Sequence, residues 1–494
     1  MQVVSFRTLA GVGVIFLVGV SLCFIVLPEA FRVFQLSLQK SAIMKDQDVS
    51  DIITPLDEPQ PLNKTASSCS PKSEEQAILQ EWDSSHFLQG PPTKQFRENL
   101  RDDTFYITAW SNSGFTNQFM GYVNMIYLGM ISDRVPIIPP FGPHHISYDS
   151  GSLRFSHVFN LTRARRALKR PLLEWHELKE EDSPTSLSEP LPEDREPLGC
   201  WSARHEGNPT PIRVKSVIDH LKLDTSYTRV PSNTRHFPDE KTTDFLVFNQ
   251  LVPYVFPRHP WRPPSSFPLM EASPLGQRLP PDEQLSCFDF LYYVTSSREL
   301  FEWQYSWSPA WRLVATHLRF TDELVDQAQS YLRRAFQVTD GTPPFIAVHM
   351  RRGDFGQQCR DGRTSKECFV PLENYRKAVE SMQQELREKK GMDVKDVVLM
   401  SDEQDGKFWD ETKKLGWARL DHHKEQTVEK YGEWYPLLLD NIAQSLAAGF
   451  VGTGDSTYSL LSARRVEDWN DGPTFMVQRF LGARSLYYED DGEP

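Results

Sequence analysis

The sequence predicts an α/β protein whose parallel sheets are divided between two domains. Three observations carry this reading. A strand, glycine turn, helix and strand follow one another from residue 104. A short, wholly apolar run at residues 345–348 ends in charged side chains. Three strands of the second half close in polar loops, and open α/β sheets place their ligands at such carboxyl ends.

A length of 494 residues fits two or three domains, and 39% hydrophobic with 12% aromatic residues is enough for large cores. Lys and Arg number 54 against 67 Asp and Glu, a net charge of −13. That balance argues against nucleic acid as a partner, because nonspecific binding to phosphate backbones needs a cationic surface. Any anion must be met locally by a few arginines.

Residues 9–27 are free of charge for nineteen positions, about 28 Å as a helix, so a single membrane span is expected there. No small-residue cleavage site follows, which favours a retained signal anchor. Arg7 precedes the span, and Arg32, Lys40 and Lys45 follow it, so the charges alone do not orient it. Residues 1–8 would be a cytoplasmic tail. Residues 28–98 are polar, acidic and proline-bearing, the composition of a disordered stem.

Asn63 and Asn160 head glycosylation sequons, whereas Pro209 excludes Asn208. Beyond the span, Cys69, Cys200, Cys287, Cys359 and Cys368 allow two disulfides. Cys359 with Cys368 is the first expected pair and Cys200 with Cys287 the second; a set of reduced, buried thiols is the other reading. The sequence has no C-x-x-C pair and its histidines show no zinc spacing, so no metal is expected.

Residues 104–110 are β-branched and aromatic, a strand, and run into Ser111-Asn112-Ser113-Gly114-Phe115-Thr116-Asn117-Gln118. Residues 119–131 then repeat apolar side chains at helical spacing, and 135–139 is the next strand. Gly114 sits where the backbone must turn, at a helix start that attracts negative charge. On its own this is also an ordinary strand-to-helix turn. Residues 180–197 and 235–278, rich in proline, read as surface insertions.

An amphipathic helix at 322–336 leads to Phe345-Ile346-Ala347-Val348, a strand buried on both faces. His349, Arg351, Arg352 and Asp354 follow at its end. A guanidinium grips two phosphate oxygens at once, so this loop suits a diphosphate; a loop of solvated charges is the plainer alternative. A helix is expected at 371–389, then a strand at 394–400 that ends in Ser401-Asp402-Glu403. After a helix at 437–448 and a strand at 450–452, Gly452 to Ser459 is rich in hydroxyls and opens a helix at 460–469. Such a start can cradle phosphate, or Ser456 or Thr457 simply caps the helix.

Four stretches together resemble the GDP-fucose protein O-fucosyltransferase family. They are Gly114-Phe115-Thr116-Asn117-Gln118; His349-Met350-Arg351-Arg352-Gly353-Asp354-Phe355; Ser401-Asp402; and Asp440 through Phe450-Val451-Gly452 to Ser456-Thr457-Tyr458. The resemblance implies a GT-B-like fold of two Rossmann-like domains with an interdomain cleft, residues 99–335 on the acceptor side and 336–494 binding the nucleotide sugar. It implies that Arg351 meets the β-phosphate and glycosidic oxygen, with Asn117 as the other catalytic residue. Gly114, Phe115, Asn117, His349, Arg351, Ser401, Asp402, Asp440, Ser456, Thr457 and Tyr458 would bind GDP-fucose, His349 and Asp440 holding the nucleoside.

The expected reaction is metal-independent, inverting transfer of fucose to a protein or glycan hydroxyl, without any cofactor. Ser113 stands where some relatives have a glutamate, and serine is no base at neutral pH. The chain would be a single-pass type II protein of the Golgi or endoplasmic reticulum membrane with a lumenal catalytic body. A catalytically silent, membrane-tethered glycan- or protein-binding relative is the alternative.

Overall fold

A computed structural model describes residues 82–181, 190–240, 243–258, 267–358 and 369–478. The expected span at 9–27, the stem up to residue 81, Asn63, Cys69, Cys359 and Cys368 lie outside the described residues. Among those described, no helix is long and apolar enough to cross a membrane. The described residues all belong to one compact unit.

The first half builds a seven-stranded sheet. Its strands are β1 (Tyr106–Ala109), β2 (Val135–Ile138), β3 (Leu173–Glu174), β4 (Glu196–Ser202), β5 (Leu223–Arg229), β7 (Leu269–Glu271) and β8 (Leu285–Phe288), in the order β3-β2-β1-β8-β4-β5-β7. A small separate pair joins β6 (Leu246–Val247) to β9 (Val294–Thr295). Every pairing in the larger sheet is parallel except that of the edge strand β7, whose register with β5 shifts between Tyr227 and Thr228. β1 is buried along its whole length, as its apolar run requires of a parallel strand.

Helix α1 (Phe115–Ile131) follows β1 and starts one turn earlier than its apolar spacing predicts, with Gly114 as its N-cap. Its glycines are a packing device. A Cβ at Gly129 would lie 2.9 Å from Ile107 Cγ2, so the missing side chain lets the helix lie directly on β1. Within the sheet, Cys200 of β4 is disulfide-bonded to Cys287 of β8, both fully buried. The insertions expected at 180–197 and 235–278 carry structure of their own. The first runs into β4; the second holds β6, the helix Phe248–Val255 and β7.

The second sheet is wholly parallel, in the order β12-β11-β10-β13-β14. Its strands are β10 (Phe345–Met350), β11 (Asp396–Ser401), β12 (Ala418–Arg419), β13 (Gly449–Thr453) and β14 (Thr474–Val477). Helices α2 (Asp322–Phe336), α3 (Leu372–Lys390), α4 (Trp434–Ser445) and α5 (Thr457–Asn470) cover it. Helix α2 packs on α4. The strand order reverses between β10 and β13, the topological switch point where doubly wound sheets bind ligands. In the first sheet the same reversal falls between β1 and β8.

One apolar cluster runs through both halves, from Phe119 and Val123 of α1, through Trp311 and Phe320, to Leu439 and Ile442 of α4 and Leu461 of α5. The far faces of the two sheets have cores of their own, around Trp110 and Trp175 in the first and Met382 and Leu386 in the second.

Candidate active site

His349 and Met350 close β10, Arg351 follows directly, and Thr453 closes β13 beside them, on the two strands that flank the switch point. Thr453 ties the two ends together. Its hydroxyl donates to His349 O at 3.0 Å, accepts the Arg351 N–H at 2.9 Å and lies 2.7 Å from the Tyr375 hydroxyl. Thr453 is buried, so this contact fixes the backbone from which the Arg351 side chain leaves.

Arg351 is held by carboxylates on both sides. Its Nη1 donates to Asp402 Oδ2 at 2.5 Å, and its Nη2 lies 2.7 Å from Asp354 Oδ1. Asp402 also accepts the Arg352 backbone N–H at 2.8 Å, and Gly353 leaves it room, since a Cβ there would lie 2.4 Å from Asp402 Oδ2. The loop expected to be cationic therefore meets three carboxylates with its two arginines, Asp354 and Asp402 on Arg351 and Glu403 on Arg352. What it offers is an aimed guanidinium with donors beyond the two that are taken.

Arg352 turns elsewhere. Its Nε donates to Glu403 at 2.6 Å, and its guanidinium lies 4.5 Å from the Phe369 ring centroid and 4.7 Å from that of Phe408. That sandwich makes it a packing residue.

His349 is buried, and its Nδ1 lies 2.6 Å from Ser459 Oγ, which already accepts the Thr453 N–H at 3.0 Å. With the Ser459 hydroxyl hydrogen given to Nδ1, the neutral ring carries its own hydrogen on Nε2. Burial, with the charge of Arg351 second, pushes the imidazole pKa down to about 3, so His349 is neutral. It is a hydrogen-bonding group and not a cation.

Two helix starts converge on this spot. Ser456 caps α5, its side chain accepting the Ser459 N–H, and the next residue, Thr457, reaches across to the start of α1. Thr457 Oγ1 donates to Asn117 Oδ1 at 2.6 Å and lies 3.0 Å from Thr116 Oγ1. The positive ends of two helix dipoles and the Arg351 guanidinium thus gather around one junction, an arrangement that favours a polyanion.

Several residues expected in the site have partners of their own within the fold. Phe115 is buried among Phe141 and Phe159 and serves the core. Tyr458 packs against His349, ring centroids 4.9 Å apart and tilted by 42°, and its hydroxyl donates to Leu437 O in α4, so it also holds that helix. Ser401 donates to Met350 O at 2.7 Å and ties β11 to β10. Gly114 is the α1 cap.

Asp440 lies beside Tyr458 on α4, its Oδ1 engaged at 2.9 Å by His422 Nε2. Burial alone would lower the His422 pKa; with Asp440 beside it the pKa is raised instead. Asn160 caps the helix Leu161–Leu168, its side chain accepting the Arg163 N–H.

Other contributors carried weaker signals. Thr453 and Ser459 stand in the hydroxyl-rich stretch, and Asp354 in the arginine motif. Gln118 belongs to the glycine turn: it is buried, donates to Ser113 O and Gly142 O at 2.8 Å each, and accepts the Gly142 N–H at 2.9 Å. His422, far from any motif, left no sequence signal. Among the described residues, no group of three or more His, Cys, Asp or Glu side chains is arranged to hold a metal ion.

The sequence model of the GDP-fucose protein O-fucosyltransferase family matches residues 106–467. A comparison with curated proteins finds no match. Solved structures that the chain resembles include POFUT1 in complex with GDP-fucose, at 15% identity and a TM-score of 0.47 over 78% of this chain and 99% of that one. They also include the fucosyltransferase NodZ from Bradyrhizobium, at 11% identity and a TM-score of 0.34 over 73% of this chain and 93% of that one.

Proposed function

Because this chain belongs to the GDP-fucose protein O-fucosyltransferase family and is a GDP-fucose-dependent fucosyltransferase, we propose that it moves fucose to a hydroxyl of a protein or glycan acceptor, inverting the anomeric carbon without a catalytic metal. The observation that carries the reading is Arg351, oriented by Asp354 and Asp402 where the strand order reverses. As the bond between the sugar and GDP breaks, negative charge grows on a β-phosphate oxygen. A guanidinium already fixed in place stabilises that charge more than it stabilises the bound donor, which lowers the barrier. The converging starts of α1 and α5 add their dipoles on the same side.

His349, neutral and carrying its hydrogen on Nε2, donates to the nucleotide, and the Asp440 carboxylate accepts from the base. The acceptor hydroxyl attacks the anomeric carbon from the face opposite the departing diphosphate, which gives inversion. The buried Cys200–Cys287 disulfide supports an oxidising compartment, and with the apolar segment 9–27 and the two sequons it favours a type II protein with its body in the Golgi or endoplasmic reticulum lumen.

The test is calorimetric GDP binding and GDP-fucose hydrolysis by the full-length protein in detergent, with and without EDTA. We expect binding and turnover that EDTA leaves unchanged. In Arg351→Ala, turnover should fall about 10²–10³-fold while the melting temperature barely moves, since the arginine is paired at a partly exposed loop. A wild-type protein that binds no GDP sinks the reading; turnover abolished by EDTA removes the metal-independent part of it.

A further inference from the structure

The stretch between β12 and α4, residues 420–433, belongs to no site motif, yet it brings a histidine against Asp440. Its turn is tightly made. The Glu425 N–H donates to Asp421 O and the Thr427 N–H to His422 O, both at 2.9 Å, and Gln426 takes a φ of 54° as the cap of the helix Thr427–Tyr431. Helix α2 anchors the turn from outside: Arg334 Nε donates to Glu425 Oε1 at 3.0 Å, and the Tyr331 hydroxyl lies 2.9 Å from Thr427 Oγ1.

His422 is held at both ring nitrogens. Nδ1 lies 3.1 Å from Thr427 Oγ1, Nε2 lies 2.9 Å from Asp440 Oδ1, and the ring packs on Tyr331 with centroids 5.8 Å apart. A carboxylate only accepts, so Nε2 carries a hydrogen and donates it. Thr427 and Tyr331 are buried. Two hydroxyls in series can point either way, so they serve Nδ1 with or without a hydrogen of its own, and the contact with Asp440 survives in both states. The chain Tyr331, Thr427, His422, Asp440 thus runs unbroken from α2 to α4.

Asp440 in turn stands among the groups that close the site. Leu437, one turn before it, accepts from the Tyr458 hydroxyl; Asn441, just after it, donates to Ser462 Oγ of α5 at 3.1 Å; and Tyr458 packs against His349. The Asp440 side chain is 21% exposed, so a ligand can reach it. A carboxylate that takes two neighbouring N–H donors must lie in the plane they define, and a hydrogen bond from a fixed imidazole sets that plane. Each carboxylate oxygen has two lone pairs, so Oδ1 can hold His422 and a ligand donor together.

We propose that His422 is a positioning residue for nucleotide recognition, fixing the Asp440 carboxylate so that both of its oxygens meet the paired N–H donors of a guanine edge. The inference rests on the donor reading given above, in which Asp440 accepts from the base. A base with one donor on that edge gains less from a fixed carboxylate, so His422 sets the preference for guanine over hypoxanthine.

The test titrates GDP and inosine diphosphate, which lacks the exocyclic amino group of guanine, into the full-length protein in detergent. The wild type should favour GDP by about tenfold or more, the worth of one hydrogen bond to a charged group. His422→Phe keeps a ring against Tyr331 and removes the donor; His422→Ala removes both. In each, GDP should bind about tenfold more weakly and the preference should fall to about threefold or less, with KM for GDP-fucose rising more than kcat falls. Both ligands meet the same sample, so partial unfolding cancels from the ratio. His422→Gln, whose amide still donates, should hold the wild-type preference. Where Asp440→Asn loses the preference, its retention in His422→Phe or His422→Ala, or a loss in His422→Gln equal to that in His422→Phe, would overturn the inference. If Asp440→Asn keeps the preference, the base is read elsewhere, and the assignment of Asp440 to the base falls, this inference with it.

Discussion

At the scale of single residues, the site works by restricting what each side chain can do. Arg351 and Arg352 are neighbours in sequence, yet one is aimed by Asp354 and Asp402 and the other is sandwiched between Phe369 and Phe408. His349 is restricted in protonation. Its pKa in the folded chain, about 3, lies below the unfolded value near 6.5, so the folded state binds fewer protons between those limits. The stability that goes with its neutral form is fully present above pH 6.5 and is lost as pH falls toward 3. The slope from this one group is at most about 1.4 kcal/mol per pH unit. His349→Gln cannot titrate. The stability gap between wild type and His349→Gln, measured by urea denaturation from pH 7.5 to 4.5, should therefore narrow as pH falls; a gap that is constant or widens would show that folding does not lower the His349 pKa.

At the scale of elements, the site is a set of strand ends, and this is the part the sequence made readable. The apolar run 345–348 followed by charge marks β10, and the glycine turn after 110 marks the β1–α1 junction, because burial and turning leave local signatures. Partners from distant strands leave none. Asp402 meets Arg351 across fifty residues, and whether Tyr458 offers its hydroxyl to a phosphate or to Leu437 depends on how α4 packs. β4 and β5 went unread because their stretches mix glycine, proline and polar residues with apolar ones and still lie buried in the sheet. Gly353 shows what the strand-end geometry demands. An added methyl would collide with the Asp402 carboxylate, release its grip on Arg351 Nη1 and loosen the Arg352 N–H. Gly353→Ala should lower kcat for GDP-fucose hydrolysis at least tenfold, with a change in stability below about 1 kcal/mol, as expected for a partly exposed loop. Wild-type kcat in this variant would mean that Asp402 does not set the Arg351 orientation.

At the scale of the whole molecule, the two sheets act as one body because a shared core joins them, and Arg465 stands inside it. This arginine of α5 is fully buried, and among the described residues no carboxylate is paired with it. Its Nη1 donates to Asn441 Oδ1 at 2.5 Å, and its guanidinium lies 5.2 Å from the Phe119 ring centroid, 4.8 Å from Phe320 and 5.6 Å from Trp469. Burial pushes its pKa down to about 9. Three aromatic faces from both halves of the chain replace the counterion, and cation–π contacts return only part of the hydration that a buried charge gives up. Bulk should therefore matter more here than charge. Arg465→Met, which fills similar space, should alter stability by no more than about 1 kcal/mol, since buried charges are often replaced by apolar side chains without loss. Arg465→Ala leaves a cavity between α1 and α5 and should cost about 2–4 kcal/mol. Because α5 opens with Ser456 and Thr457, whose contacts link the two halves at the site, the alanine variant should also weaken GDP binding, and the methionine variant should not. Denaturation and GDP titration of both variants separate the two roles; equal losses in Met and Ala would show that the guanidinium charge, through its aromatic cage, joins the halves.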